Sequence, residues 1–440
     1  AGDLLAAGGG PGRVVAVAVR EPGPALIAML AVLEAGATLA PIDVRVGSAG
    51  RTAAESRARP ICTVRDASLE GEIEIAPAPP AEPRHITPEA GLILFTSGSS
   101  GEPKGVVLPR AGIAANVDAI LSYLPVPAFP VTACVLPLSY SYALVGQCFV
   151  TLRAGGTLLL LGDVPFPARQ VELMREAGAT GLSSVPTSLR LLADAAADFP
   201  PPGRPRLGYV ASAGAALDAI TRSRLTAAFP EARLFSQYGL TEASPRVAAI
   251  SAADPAFAAG SVGMPLPGIA VHAAGERGEA LPPGEVGELL VRAPSVMLGY
   301  LDDPEGTARV LGPDGLRTGD YGWVDDRGYI YVQGRRDDVV KCGGERVSLE
   351  EVAGVIRGAP GVEDACVVAL PDDRLGMRLV AFVAGEDGIA GRVQDLLRAW
   401  LPPAKRPSRI VGLPALPRSL NGKLDVALLR ELAGEQAEAC

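Results

Sequence analysis

Histidine is nearly absent from this chain, which has only His85 and His272 in 440 residues. A histidine-rich zinc centre is thereby excluded, and a histidine-based triad would have to use one of two residues that lack any partner motif. Cysteine is sparse as well: Cys62, Cys134, Cys148, Cys342, Cys366 and Cys440 show no CxxC spacing. No disulfide framework is expected, and reduced thiols in a cytoplasmic compartment are. An excess of positive charge is also missing. The formal net charge of -9 argues against a general nucleic-acid binder, which needs a basic surface. Long uninterrupted apolar runs are lacking too. Ala119 to Leu152 carries no formal charge, but Pro125, Pro127, Pro130 and Pro137 break it, so a buried helix-loop-strand passage is expected there rather than a membrane span. The opening AGDLLAAGGGPGR has no basic segment followed by an apolar one, so no secretory signal is expected.

What is present is 48% apolar residues with 52 glycines and 40 prolines, a globular composition with many turns. Short β-rich runs alternate with helical patterns: VVAVAV from Val14, then Ala25 to Glu34; Leu92 to Thr96, then Ile113 to Leu124. Ile113, Val117, Ile120, Leu121 and Leu124 share one helical face. Further strands are expected at Thr157 to Leu161, Leu207 to Ser212 and Arg233 to Gln237. Such alternation predicts an α/β fold of parallel-type sheets covered by helices. From about 260 the texture turns to short strands and turns, a β-rich subdomain reaching 336. From 337 to 440 a small C-terminal α/β domain is expected, with a helix starting at SLEEV, where Ser348 and Glu351 have capping-box spacing.

The segment LILFTSGSSGEPKGVVLPR, Leu92 to Arg110, places hydroxyls, glycines and one lysine between apolar runs. Backbone N–H groups and hydroxyls after a strand suit phosphate oxygens, and Lys104 adds a mobile cation. The order of residues is not that of a Walker loop, because Pro103 and Gly105 flank Lys104. The segment resembles the nucleotide-phosphate loop of the acyl-adenylate-forming superfamily, which includes acyl-CoA synthetases, peptide-synthetase adenylation domains and luciferases. Four stretches in the same order support this resemblance: LEAGATLAPID from Leu33, SQYGLTEAS from Ser236, GYLDDPEGT with RTGDYGWVDDRGYIYVQGRRDDVVKCGGERVSLEEV, and LPRSLNGKLD ending at Asp425.

The resemblance implies that ATP or AMP is bound by Thr96, Ser97, Gly98, Ser99, Ser100, Gly101 and Lys104, by Gly214, Ala215 and Ala216, by Gln237, Tyr238 and Gly239, and by Asp320 and Arg335. Glu242 is expected to contact Mg2+ and Thr241 the α-phosphate; a hard cation takes carboxylate oxygen and phosphate takes hydroxyl donors. Tyr238 would stack on adenine, and Asp320 would accept hydrogen bonds from both ribose hydroxyls. Lys423 is expected to bridge the substrate carboxylate and the α-phosphate as charge builds there. Asp337 marks the hinge about which a mobile C-terminal domain rotates, and Gly343 and Gly344 would line a channel for the arm of the thiol acceptor.

The acyl pocket is expected from Tyr140, Ser141, Ser184, Val185, Pro186 and Thr187. Ser141 stands where peptide-synthetase domains place an aspartate, and no carboxylate occurs between Asp118 and Asp163. A buried α-ammonium would be unpaired, which favours a carboxylic acid without that group, aryl or short to medium acyl. The implied activity is ATP-dependent ligation through an acyl-adenylate to a thioester on CoA or on the phosphopantetheine of a carrier protein acting in trans. The alternatives are an amine or oxygen acceptor, a free-standing amino-acid adenylation domain, and a non-catalytic acyl-AMP-binding relative. Relatives usually have a longer N-terminal stretch, so a trimmed or truncated form is expected.

Overall fold

The computed structural model describes the chain apart from residues 47, 69–71, 78–81, 98–102, 201–202, 336–338, 343–344, 373–374, 387, 402, 419–423 and 436–440. It is an α/β protein with a large N-terminal domain of several sheets and a smaller C-terminal domain. The strand Val14–Ala18 lies inside the first sheet, parallel to Thr38–Pro41 on one side and Cys62–Asp66 on the other. Val14, Val15, Ala16 and Val17 are all buried, because a parallel strand is covered on both faces and tolerates a continuous apolar run. The helix Pro22–Glu34 returns the chain between Val14–Ala18 and Thr38–Pro41, as parallel pairing requires.

A second sheet holds five parallel strands, Thr157–Leu160, Val131–Cys134, Gly181–Ser184, Tyr209–Ser212 and Arg233–Tyr238 in spatial order, and then Ala248–Ser251 and Met264–Pro265 antiparallel at its edge. Side chains from both sheets and from the helices Pro22–Glu34 and Arg110–Leu121 share one core, which includes Val15, Met29, Leu92, Ile120, Leu144, Tyr209 and Phe235. The outer face of the second sheet is covered by Pro167–Glu176, Pro186–Ala197 and Ala219–Ala228. Asp218 starts the last of these by accepting the Thr221 N–H at 2.7 Å.

Three expectations need revision. Ala90–Ser97 is followed directly by a second strand, Pro103–Pro109, antiparallel to it, before the helix Arg110–Leu121 begins. The β-branched pair Val106 and Val107 fills this buried strand. The uncharged passage ends in helical turns, Ser141–Arg153 with a π-helical stretch at Leu144–Phe149, not in a strand. Within GYLDDPEGT, Gly299–Tyr300 joins the first sheet beside Val106 and Val107, and Pro304–Val310 is a helix capped by Asp303. The β-rich region is otherwise antiparallel: Ala270–Ala274, Gly287–Arg292 and Gly315–Val324 pair in turn, and Ile330–Arg335 pairs with Gly315–Val324. No helix of the described residues is long and apolar enough to cross a membrane.

In the C-terminal domain a hairpin of Val362–Asp372 and Gly376–Gly385 is extended by Arg409–Leu413, parallel to the second strand. Side chains alternate across the sheet. Ala365, Val367, Leu379, Ala381 and Val383 pack on the helices Leu349–Arg357 and Ile389–Trp400, while Cys366, Val368, Val380 and Phe382 pack on Val426–Glu435. The helix Leu349–Arg357 starts one residue after Ser348, as the sequence predicts.

One ion pair fastens the chain just beyond Tyr300. Arg84, nearly buried, reaches both oxygens of Asp302 at 2.8 and 2.5 Å and donates to the Arg57 carbonyl at 3.0 Å. The Arg84 hydrogen bond is the main cause that holds the Asp302 carboxyl below the usual aspartate range. A depressed carboxyl contributes stability above its unfolded pKa and loses it as pH falls through the folded one. Asp302→Asn should therefore destabilise the protein by about 1 kcal/mol at neutral pH, after discounting for the half-exposed carboxylate. In chemical denaturation the gap between the two proteins should close below about pH 4; a gap independent of pH would show that the pair contributes nothing through its charge.

Candidate active site

The site forms where three strand ends meet. The hairpin of Ala90–Ser97 and Pro103–Pro109 pairs Thr96 with Lys104 and Ser97 with Pro103, so both arms of the phosphate-type loop arrive in register. Lys104 Nζ lies 5.3 Å from the ring centroid of Tyr300, within cation–π range. The Tyr300 hydroxyl in turn donates to Glu242 Oε1 at 2.9 Å. Burial, and then the neighbouring Glu242 charge, raise the Tyr300 pKa, so it stays a neutral donor. The sequence assigns Tyr300 no role, yet it joins the hairpin lysine to the carboxylate. Pairing of Gly299–Tyr300 with Val107 and Val106 puts it there.

Glu242 and Thr241 sit in the short helical turn Thr241–Ala243 just past the strand Arg233–Tyr238. The Thr241 and Ser141 hydroxyls are 3.0 Å apart, which brings an expected α-phosphate contact against an expected acyl-pocket residue. Gly239 makes the turn possible: a Cβ there would lie 1.9 Å from the Pro245 carbonyl oxygen. Gly214, at φ +88°, turns the chain after Tyr209–Ser212 in the left-handed region that favours glycine. Ala215 and Ala216 follow it on the exposed rim.

Tyr238 and Asp320 are brought together, the tyrosine hydroxyl donating to Asp320 Oδ2 at 2.6 Å. Arg335, opposite Asp320 in the antiparallel pair, has Nε 3.4 Å from Oδ1. Asp320 is 8% exposed. Burial raises its pKa above the usual aspartate range, against the opposing effects of Tyr238 and Arg335. The Gln237 side chain is placed differently from that of its neighbour Tyr238. Being adjacent to Tyr238 in a strand, it faces the other way, donating Nε2 to the Tyr123 hydroxyl at 2.6 Å and accepting from the Tyr142 hydroxyl at 3.1 Å.

On the acyl side, Ser184 is fully buried, Val185 and Pro186 begin the helix Pro186–Ala197, and Thr187 is exposed. Tyr140 packs under Arg45, with the guanidinium carbon 5.7 Å from its ring centroid. Arg45 also pairs with Asp43 at 2.6 Å, and Asp43 accepts the Ser139 hydroxyl at 3.1 Å, so the early LEAGATLAPID stretch is tied to the acyl segment. Tyr142, which the sequence leaves unassigned, reaches inward to the carbonyls of Ser184 at 3.5 Å and Ala211 at 3.1 Å. Gly98, Ser99, Ser100, Gly101, Asp337, Gly343, Gly344 and Lys423 lie outside the described residues.

Two stretches of the chain match two family models, AMP-binding enzyme over residues 1–301 and AMP-binding enzyme C-terminal domain over 351–423. A feruloyl-CoA synthase from Amycolatopsis sp is 32% identical over 419 residues, covering 91% of this chain and 84% of that protein. A fatty acid–[acyl-carrier-protein] ligase, ScoC of Streptomyces coeruleorubidus, is 30% identical over 369 residues, covering 80% and 68%. Among solved structures, ATP-bound MatB from Rhodopseudomonas palustris superposes with a TM-score of 0.83 at 26% identity, covering 98% of this chain and 90% of that one. The fold is thus that of adenylate-forming enzymes. The chain belongs to the AMP-binding enzyme family.

Proposed function

We propose that this protein is an ATP-dependent carboxylic acid ligase that forms an acyl-adenylate and then a thioester on CoA or on the phosphopantetheine of a separate carrier protein. The observation that carries this reading is the convergence of Lys104, Tyr300 and Glu242 beside the touching hydroxyls of Thr241 and Ser141. A phosphate-binding wall and an acyl wall then share one border, which is where a carboxylate must meet an α-phosphate. In the first step a carboxylate oxygen attacks the α-phosphorus, the bond to the β-phosphate oxygen breaks, and pyrophosphate leaves. Thr241 donates to an α-phosphate oxygen, Lys104 follows the departing pyrophosphate, and Lys423 bridges carboxylate and phosphate as charge accumulates. Asp320 and Arg335 hold the ribose, with Tyr238 against the adenine.

Mg2+ fits this donor set: Glu242 keeps one oxygen beyond its Tyr300 bond, and the triphosphate supplies the others. Among the described residues no group of three or more His, Cys, Asp or Glu could hold a metal. When bound it neutralises phosphate charge. In the second step the acceptor thiol attacks the acyl carbonyl, AMP leaves, and the thiol proton passes to solvent. Rotation about Asp337 would bring Gly343 and Gly344 to the site for this half-reaction.

ATP–pyrophosphate exchange over a panel of aryl, alkyl and amino acids tests the reading. Acid-dependent exchange is expected with at least one acid lacking an α-ammonium group, followed by thioester formation with CoA or a holo carrier protein. A folded, ATP-binding protein that exchanges with no acid would refute the ligase function.

A further inference from the structure

The acyl side contains a charge that the steps above do not use. Arg246 is 2% exposed, and its Nε and Nη2 have no hydrogen-bond partner. A guanidinium cannot shed its proton, and enclosing it without an anion is costly. It is nonetheless held firmly. Asn116 donates Nδ2 to the Arg246 carbonyl at 2.7 Å and accepts the Arg246 N–H at 3.1 Å.

The neighbours of Arg246 are polar but uncharged. Its guanidinium carbon is 4.8 Å from the Tyr142 ring centroid, and the Tyr123 hydroxyl lies beside it. Burial raises both tyrosine pKa values, so neither ring supplies a negative charge. Gly146 packs closely against this group, since a Cβ there would lie 3.4 Å from Nη2 and 3.2 Å from the Tyr142 ring. Gln147, next in the π-helical stretch, is also 2% exposed, with both amide atoms unpartnered. Among the described residues Arg246 has no ion pair. Tyr142 connects this cluster to the reacting end: it follows Ser141, whose hydroxyl touches Thr241, and its own hydroxyl reaches the Ser184 carbonyl.

We propose that Arg246 binds a second carboxylate on the acid substrate, so that the preferred acids are dicarboxylic. One carboxylate attacks ATP while the other neutralises the buried guanidinium. A neutral tail would leave the charge uncompensated, whereas a carboxylate matches the guanidinium fork with two parallel hydrogen bonds. The inference rests on the ligase reading and narrows its substrate class.

The test measures acid-dependent ATP–pyrophosphate exchange with matched pairs, straight-chain mono- and dicarboxylic acids of equal length and benzoates with and without a para-carboxylate. The unmodified enzyme should favour at least one diacid over its partner by about tenfold or more in kcat/KM. Arg246→Gln should abolish that preference while leaving the KM for ATP within about twofold, with folding checked by thermal denaturation. Should Arg246→Gln fail to fold, Arg246→Lys decides the matter, because it keeps the charge and loses the fork; the preference should then fall several-fold, roughly. Exchange with monoacids at least as fast as with every diacid overturns this proposal and leaves the ligase reading intact. A preference unchanged in the folded variant overturns it as well. No exchange with any acid removes both.

Discussion

Lys423→Ala should lower acid-dependent pyrophosphate exchange by about a thousandfold, the scale expected when one preorganised charge at a developing oxyanion is removed. Thioester formation from supplied acyl-AMP should change by no more than about threefold, because in the proposed cycle this lysine has left the site before the thiol attacks. The contrast follows from the division of labour among the cations. Lys104 is carried by the hairpin of Ala90–Ser97 and Pro103–Pro109 and is packed on Tyr300, so it can contact the phosphates in both ground and transition states. A charge that acts only in the transition state must come from elsewhere, and Lys423 is near the far end of the chain. Equal losses in the two half-reactions would refute the rotation about Asp337.

Asp320→Ala should raise the KM for ATP by about a hundredfold, with a smaller effect on the maximal rate, since two hydrogen bonds to a charged acceptor are worth roughly 1.5–3 kcal/mol each before compensation. The pH dependence carries its own signature. Burial holds the Asp320 carboxyl above the usual aspartate range, so protonation, and with it the loss of an acceptor, begins at a higher pH than for an exposed aspartate. The KM for ATP should therefore rise as pH falls through this raised value, and Asp320→Asn should flatten that limb. A raised carboxyl contributes stability at low pH and loses it as pH rises through the folded value. In the absence of nucleotide, Asp320→Asn is accordingly expected to be at least as stable as the parent at neutral pH. A variant that lost stability while its KM for ATP stayed the same would assign Asp320 to the framework rather than to the ribose.

Much of the large domain was legible because its strands are of the kind that pattern alone reveals. The apolar run VVAVAV reads as a buried strand, and Val14–Ala18 is one; Tyr238 and Asp320, which the motifs assign to one nucleotide although 82 residues separate them, are joined by a hydrogen bond. Three features were not legible, each for a physical reason. Tyr300 reaches Glu242 across 58 residues only because a two-residue strand happens to dock on the hairpin, and so short a pairing leaves no periodicity. The sequence motif groups Gln237 with its neighbour Tyr238, whereas alternation along a strand sends adjacent side chains to opposite faces. Arg246 carries no local signal, because a lone arginine after a turn normally marks solvent and the grip of Asn116 on its backbone comes from 130 residues away.

The turn that begins at Gly239 also bears on how such an enzyme changes over generations. The Val247 N–H returns to the Tyr238 carbonyl at 2.9 Å, and the Pro245 carbonyl fills the place of a Cβ on Gly239. The segment between them is thus a closed link of fixed length that holds Thr241 and Glu242 on one side and Arg246 at its end. Insertion or deletion within it would displace the reaction chemistry together with the acyl contact. Exchange of the single side chain at Arg246 would alter the acyl contact alone. Innovation in substrate is thereby channelled into point substitutions, and the chemistry is sheltered from the variation that the acid pocket can explore.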